Sequence, residues 1–587
     1  MAKRGGAVHL TTQRRHYTGK DGVERVYETI LLRRSYRQDG KVRNETVANL
    51  SHLPAEAIEL VRGALAGHRY VPVDARATVT RSLPHGHVAA VMAQAKALGL
   101  PGLLGPAGRS RDLALALIVA RTVRPGSKLA TTRWWADTTL GVDLDITDAS
   151  TDEVYAAMDW LGSRQDRIEA ALAARHLSAQ ANPARLAMFD LSSSWMTGRR
   201  CPLAARGYSR DGKKGLPQIE YGLLTDPEGR PIAVRVFPGN TADPAAFVSI
   251  SEDLKDRFAL AEMVMVGDRG MITSARIERL RELGGYGWIT ALRAPQIAAL
   301  AADDGPLQLS LFDQANLAEI THPDFPGERL IACRNPALAD ERARKRRALL
   351  DATETDLAKI ATAVTAGRLR GADKIGIRVG RAIGRHKMAK HFHLTITDDT
   401  LTYTRDQTGI DTEAALDGIY LIRTTIGADQ MTPDQVVASY KNLSRVERNF
   451  RSLKAIDLHL RPVHHYTDNR VRAHVFICAL AAYLTWHLRR TWAPLTYTDE
   501  QRPTPTDPVA PATRSHAADH KAATKTTTDG HPAHSYQSLL HHLGTLTRND
   551  LRYGPHGPTV PTLTEPTPTQ RQAFDLLGAP IPVHLAK

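Results

Sequence analysis

An α/β fold, in which helices cover a mixed sheet, is the architecture this sequence predicts. Three observations carry that expectation. Apolar runs of strand length, ARLAMFD (184–190), MVMVGD (263–268) and YGWITAL (286–292), recur at wide intervals. QIEYGLLTD (218–226) and RPIAVRVF (230–237) flank the turn Pro227-Glu228-Gly229 and read as a β-hairpin. Helical stretches at 244–258 and about 273–283, the second capped by Thr273 or Ser274, separate the later strands.

Strand, hairpin, helix, strand, helix, strand is the layout of a ribonuclease-H-like core, expected over 184–294 and completed by 421–495. Residues 295–420 interrupt it. Their strand-like runs RLIACR (329–334) and HFHLTIT (391–397), with the charged helix 340–364, predict a β-rich insertion carrying a basic helix. Residues 1–54 read as a basic β-rich segment, where VERVYETILLRRSYR (23–37) lies between the turn signals Gly19-Lys20-Asp21-Gly22 and Asp39-Gly40. Residues 55–183 form a helical domain. LALALIVARTV (113–123) is stopped by Pro125-Gly126, and DASTDEVYAAMDWL (148–161) opens with capping residues. The Thr-, Pro- and His-rich stretch 496–535 reads as a disordered linker, and 536–587 as a helical tail.

A formal charge of +15 favours an anionic partner, and for a chain of 587 residues nucleic acid is expected before acidic membranes. The charge is concentrated. Residues 1–50 hold eleven Lys/Arg against five Asp/Glu, and residues 341–390 hold fourteen against five. Arg14, Arg15, Arg33 and Arg34 in the first block are candidate DNA contacts, as are Arg344, Lys345, Arg346 and Arg347 in the second. A solvated hairpin and a solvent-facing helix are the alternatives. The longest apolar stretch, VFICALAAYLTW (475–486), is too short to cross a bilayer, and MAKRGGAVHL lacks a signal-peptide core, so no membrane partner is expected. Cys201, Cys333 and Cys478 are too few and too far apart for a disulfide framework or a zinc site, which points to a reducing cytoplasm.

Asp190 and Asp268 close apolar strands, and Glu447 lies in the helical stretch YKNLSRVERNFRSLK (440–454). Two strand-end aspartates and one helix-borne glutamate can converge on two divalent cations. Such a pair clamps the attacking and leaving oxygens of a phosphodiester. Singly, an Asp after a strand is more often a turn former, as Asp211 and Asp226 read here. In a regular helix, Tyr440, Glu447, Arg451 and Lys454 share one face, with Val446, Phe450 and Leu453 as the adjacent apolar stripe. A Glu447–Arg451 surface ion pair is the plainer reading. Trp288 is either a stacking platform for an unpaired base or, more simply, a packed sheet residue.

The glutamate helix, together with LHLRPVHHYTDNRVRAHVFICALAAYL (458–484), FDLSSSWMTG (189–198), GYSRDGKKGLPQIEYGLL (207–224), FPGNTADPAAF (237–247) and VMVGDRGMIT (264–273), resembles bacterial insertion-sequence DDE transposases. The nearest branch carries a Tyr-x2-Arg-x3-Glu-x6-Lys signature. Tyr440, Glu447 and Lys454 fall on it, whereas Leu443 stands at the Arg position and Arg445 follows two residues later. The resemblance implies that Asp190, Asp268 and Glu447 are catalytic and hold two Mg²⁺ ions, with Mn²⁺ as a substitute. It implies that the nucleic acid is double-stranded DNA and that Tyr440, Arg445, Arg451 and Lys454 contact it, without a nucleotide cofactor. Further implications are binding of terminal inverted repeats, cleavage with strand transfer, a homodimer on paired ends and a cytoplasmic, nucleoid-associated protein. A ribonuclease-H-like nuclease without strand transfer and an inactive transposase-derived DNA-binding protein are the alternatives.

Overall fold

The computed structural model describes residues 7–585 apart from 39–40, 69, 71–76, 199, 214, 242, 303–304, 313–314, 501–514 and 555–556. The chain forms two compact units, Met1–His85 with Leu546–Pro566, and Gly86–Thr545 with Thr567–Lys587.

In the first unit, Val8–Thr18, Glu24–Gln38 and Lys41–Asn49 make an antiparallel sheet, followed by the helix Ala55–Leu65. The turn expected at Asp39-Gly40 lies outside the described residues, yet Gln38 pairs with Lys41 across it. A second sheet joins distant parts of the chain. Ala77–Pro84 pairs with Thr547–Tyr553, which pairs with Thr559–Leu563. The tail is therefore not wholly helical. Between the helices Tyr536–Gly544 and Pro568–Leu576 it supplies two strands whose partner lies at the other end of the sequence.

The second unit is built on an eight-stranded sheet. Its order is Leu317–Ile320, Arg329–Arg334, Ile419–Thr424, Tyr286–Ala291, Met263–Val266, Leu186–Trp195, Gln218–Thr225, Pro231–Pro238. The last three form an antiparallel meander, and Met263–Val266 and Tyr286–Ala291 run parallel to Leu186–Trp195. This mixed α/β arrangement fits a ribonuclease-H-like core. Gln218–Thr225 is buried along its whole length, as expected of a strand covered on both faces.

Two expectations need correction here. The Asp190 strand does not end at Asp190 but runs on to Trp195. Ser193 and Ser194 continue it fully buried, with the Ser194 hydroxyl 2.9 Å from that of Tyr221, so satisfied polar groups extend the strand. The insertion, likewise, is not β-rich in its own right. Leu317–Ile320 and Arg329–Arg334 extend the core sheet, and Ile419–Thr424 ties them to Tyr286–Ala291. What leaves the sheet is mainly helical: Pro336–Thr365, Ala372–His386 and Gln407–Ala414, with the ribbon Phe392–Ile396/Leu401–Arg405. Leu350, Leu357, Ile375, Val379, Phe392 and Leu401 give this excursion its own core.

The helix Asp468–Thr491 packs against Arg109–Val123, Thr151–Gly162 and the strand Pro231–Pro238. It outruns the apolar stretch read from the sequence and is long and apolar enough to cross a membrane. However, 83% of that apolar window is buried inside the protein, as in a core helix. Part of the expected linker is also ordered. Ser515 caps the helix His516–Thr524 and donates to Asp499, and Tyr497, Ala518 and Ala533 share a small apolar cluster. Local caps, rather than apolar periodicity, make this structure.

Candidate active site

Leu186–Trp195 and Met263–Val266 are parallel neighbours, with Met188 opposite Val266. Two residues beyond that pair stand Asp190, still within its strand, and Asp268, just past the end of its own. Past the shorter strand the backbone turns, and Asp268 Oδ1 accepts from the N–H groups of Gly270 and Met271, both at 2.8 Å. Asp268 is thus a turn former as well as a candidate ligand, with Oδ2 outside that turn. Asp190 Oδ1 accepts from its neighbour Leu191 N–H at 2.8 Å. Burial pushes the Asp190 carboxyl up to about 7. The Leu191 N–H and Arg210 oppose the rise, while the charges of Asp268 and Glu447 add to it. All three carboxylates therefore share one electrostatic neighbourhood.

Glu447 is brought there by a helix that is not continuous. Thr432 caps Pro433–Lys441 through a reciprocal capping box with Gln435. Leu443–Arg451 follows across Asn442, and Ser452–Ile456 then winds as a π-helix. Val446, Phe450 and Leu453 are buried as the apolar stripe predicts, and Phe450 meets Tyr221 with ring centres 5.8 Å apart. Arg445 Nη1 donates to Pro227 O at 2.9 Å, and Asn449 Nδ2 donates to Gly229 O at 2.6 Å. These bonds fasten the glutamate helix to the hairpin turn. Arg445, expected on DNA, is instead a clamp on the protein's own backbone.

Glu447 and Arg451 are both exposed and do not form the surface ion pair that was the plainer reading. Tyr440 is half-buried in the same site. Burial and the charge of Asp268, with a smaller contribution from Glu447, push its hydroxyl up to about 12, and Arg269 opposes them. Lys454 departs from expectation. The π-turn breaks the regular spacing, and its ammonium is buried 2.8 Å from Asp211 Oδ1. Arg461 Nη1 reaches the same oxygen at 2.5 Å. Burial lowers the Lys454 pKa and Asp211 opposes that fall. Asp211, read as a turn residue, is the acid at the centre of a buried ion cluster. Its only sequence signal was an acid among the cations of GYSRDGKKG.

Trp288 is a packed sheet residue, 1% exposed, whose Nε1 donates to Glu328 Oε2 at 3.2 Å. On Pro336–Thr365, Arg344, Lys345 and Arg347 are exposed, whereas Arg346 turns inward to Asp417 at 2.5 Å and is not a free DNA contact. In the first unit Arg14 and Arg15 are exposed, the former paired with Glu28, and Arg33 and Arg34 are half-buried.

Among the described residues, no three His, Cys, Asp or Glu side chains are drawn closely enough together to hold an ion as they stand. The donor set nevertheless fits one in chemistry. Asp190, Asp268 and Glu447 offer hard oxygens suited to Mg²⁺ or Mn²⁺. Their charges crowd Asp190, and none of the three forms an ion pair with a Lys or Arg.

Residues 192–484 match the family of the transposase DDE domain, and residues 15–72 match the N-terminal domain of IS1634 family transposases. The first match begins just after Asp190 and takes in Asp268 and Glu447. No curated protein matches the chain. A DDE transposase domain preceded by an IS1634-family N-terminal domain makes this chain an insertion-sequence DDE transposase.

Proposed function

We propose that this transposase binds the terminal inverted repeats of its insertion sequence, cuts DNA there and joins the freed 3′-OH to target DNA. In this reading Asp190, Asp268 and Glu447 hold two Mg²⁺ ions, for which Mn²⁺ substitutes. The observation that supports it best is that Asp190 and Asp268 each stand two residues beyond the paired Met188 and Val266, with the charges of Asp268 and Glu447 felt at Asp190. When bound, the cations supply positive charge that activates water and stabilises the departing oxygen.

Asp190 anchors the site from mid-sheet, Asp268 offers the oxygen its turn leaves over, and Glu447 reaches in from the clamped helix. In the hydrolytic step, water oxygen bonds to phosphorus and the P–O3′ bond breaks, leaving a 3′-OH and a 5′-phosphate. In strand transfer, that 3′ oxygen bonds to a target phosphorus and the target's own 3′ oxygen leaves with the proton. Each phosphodiester broken in the second step is replaced by one formed, so no nucleotide cofactor is consumed. Tyr440, beside Asp268 and Glu447, and Arg451, one helical turn after Glu447, contact the reacting strand, and Arg344, Lys345 and Arg347 hold more distant phosphates. The acting form is a homodimer on paired ends, working in the cytoplasm on nucleoid DNA.

The test compares wild type with Asp190→Asn, Asp268→Asn and Glu447→Gln on a supercoiled plasmid carrying the element's ends. Each variant is expected to lose cutting by about 100-fold or more, and Mn²⁺ binding by calorimetry is expected to weaken in step. A pre-cut end bearing a 3′-OH should be joined to target DNA. Cutting without joining identifies a nuclease. Binding without cutting in either metal identifies an inactive DNA-binding protein.

A further inference from the structure

The N-terminal sheet separates its charges by face. Directly paired residues of neighbouring strands lie on the same side, so the register sorts every side chain. One face carries Arg15 opposite Tyr27, Tyr17 opposite Arg25, and His9 opposite Arg33. The third strand continues it with Asn44 opposite Ser35 and Val42 opposite Arg37. The hydroxyl of Ser35 bonds Asn44 at 2.6 Å and lies 3.4 Å from His9, as shared facing requires. No strand residue on this side is acidic. All three strand glutamates, Glu24, Glu28 and Glu45, lie on the other face, where Arg14 pairs with Glu28 and His16 with Glu24.

The sheet is also staggered. The third strand pairs only from Leu31 onward, so Gln13–Thr18 and Glu24–Thr29 project as a two-stranded ribbon. Nearly every residue of that ribbon is exposed, on both faces. On the acid-free side Tyr17 is 54% and Tyr27 55% exposed. Arg15 and Arg37 are exposed and form no ion pair among the described residues, while Arg25 is bonded to Asp21 of the turn. Same-face residues recur about every 7 Å along a strand, roughly two base-pair steps of duplex DNA. The major groove, about 12 Å wide, admits a two-stranded ribbon.

We propose that the acid-free face of this sheet docks on duplex DNA, the ribbon through Arg15 with Tyr17 and Tyr27 against the groove wall, and the three-stranded part through Arg33 and Arg37. Arg14 and Arg34, on the opposite face, are not DNA contacts. The proposal takes from the preceding section only the identity of the partner as DNA.

The test measures binding of the full chain to a fluorescein-labelled random-sequence duplex, by anisotropy across a KCl series in EDTA. Cutting is suppressed there, so failure of this proposal leaves the cleavage reading untouched. Arg15→Ala/Arg37→Ala is compared with Lys41→Ala/Arg43→Ala, which removes the same charge from the other face. The first variant is expected to lower the slope of log K against log salt by about 2, at about 0.9 per phosphate contact. The second should leave that slope at the wild-type value. Equal slopes for the two variants overturn the proposal. So does a face variant that binds DNA normally but shifts the sedimenting species, since the ribbon then serves a second copy of the chain. If the alanine variant melts early, Arg15→Gln/Arg37→Gln replaces it, and Arg15→Lys/Arg37→Lys should restore the slope.

Discussion

Lys128 keeps its Nζ 3.3 Å from His474 Nδ1 in the buried helical part of the second unit, facing Arg121 and Cys478, with the His465 ring tilted against that of His474, centres 5.0 Å apart. Burial, aided by Arg121 and opposed by Cys478, pushes the Lys128 pKa down to about 7. An unfolded lysine titrates near 10.4, so between about pH 7 and 10 the unfolded chain binds more protons and stability rises with pH. Lys128→Met is expected to raise the melting temperature at pH 7, by about 1–3 kcal/mol of stability, and to flatten that rise. Thermal unfolding at pH 7 and pH 9 checks both. At this scale the sequence is least legible. Asp211 lies in a stretch full of turn residues, and Lys454 has the spacing of an exposed signature residue. What joins them is a bond between residues 243 apart, invisible to local pattern.

Hairpin and strands were legible because apolar runs between turn signals have few other uses, and the five strands expected over 184–294 all form. The glutamate helix was half legible. Its apolar stripe follows from spacing, but Asn442 and the Lys454-Ala455 segment are compatible with an uninterrupted helix, so neither the break nor the π-turn has a sequence mark. Clamping by the hairpin turn makes Gly229 decisive. Its φ is +81°, and a Cβ there would stand 2.7 Å from Arg445 Cβ. Gly229→Ala is expected to cost about 1–3 kcal/mol and, by displacing the helix that carries Glu447, to slow DNA cutting more than the loss of fold explains. Melting curves beside cleavage rates measure this. Gly380→Ala, mid-helix with nothing within 4 Å of the added carbon, is the matched control and should be neutral or stabilising.

The charge of +15 was readable from composition, and it pointed to the polyanion before any residue was placed. The division of the molecule was not readable. Each unit is assembled from two separate stretches, and strand pairing between residues 77–84 and 547–553 leaves no trace in either segment alone. Removing residues 546–587 is expected to strip Ala77–Pro84 of its partners. Limited proteolysis should then cut within Ala77–Pro84, which strand pairing protects in the wild type. The same closure has a temporal side. The ribosome releases Thr547–Leu563 only after Gly86–Thr545 has been made, so the first unit stays unclosed until most of the second has emerged. A nascent or prematurely terminated transposase, however much of its catalytic sheet has emerged, carries an amino-terminal module still waiting for its closing strands.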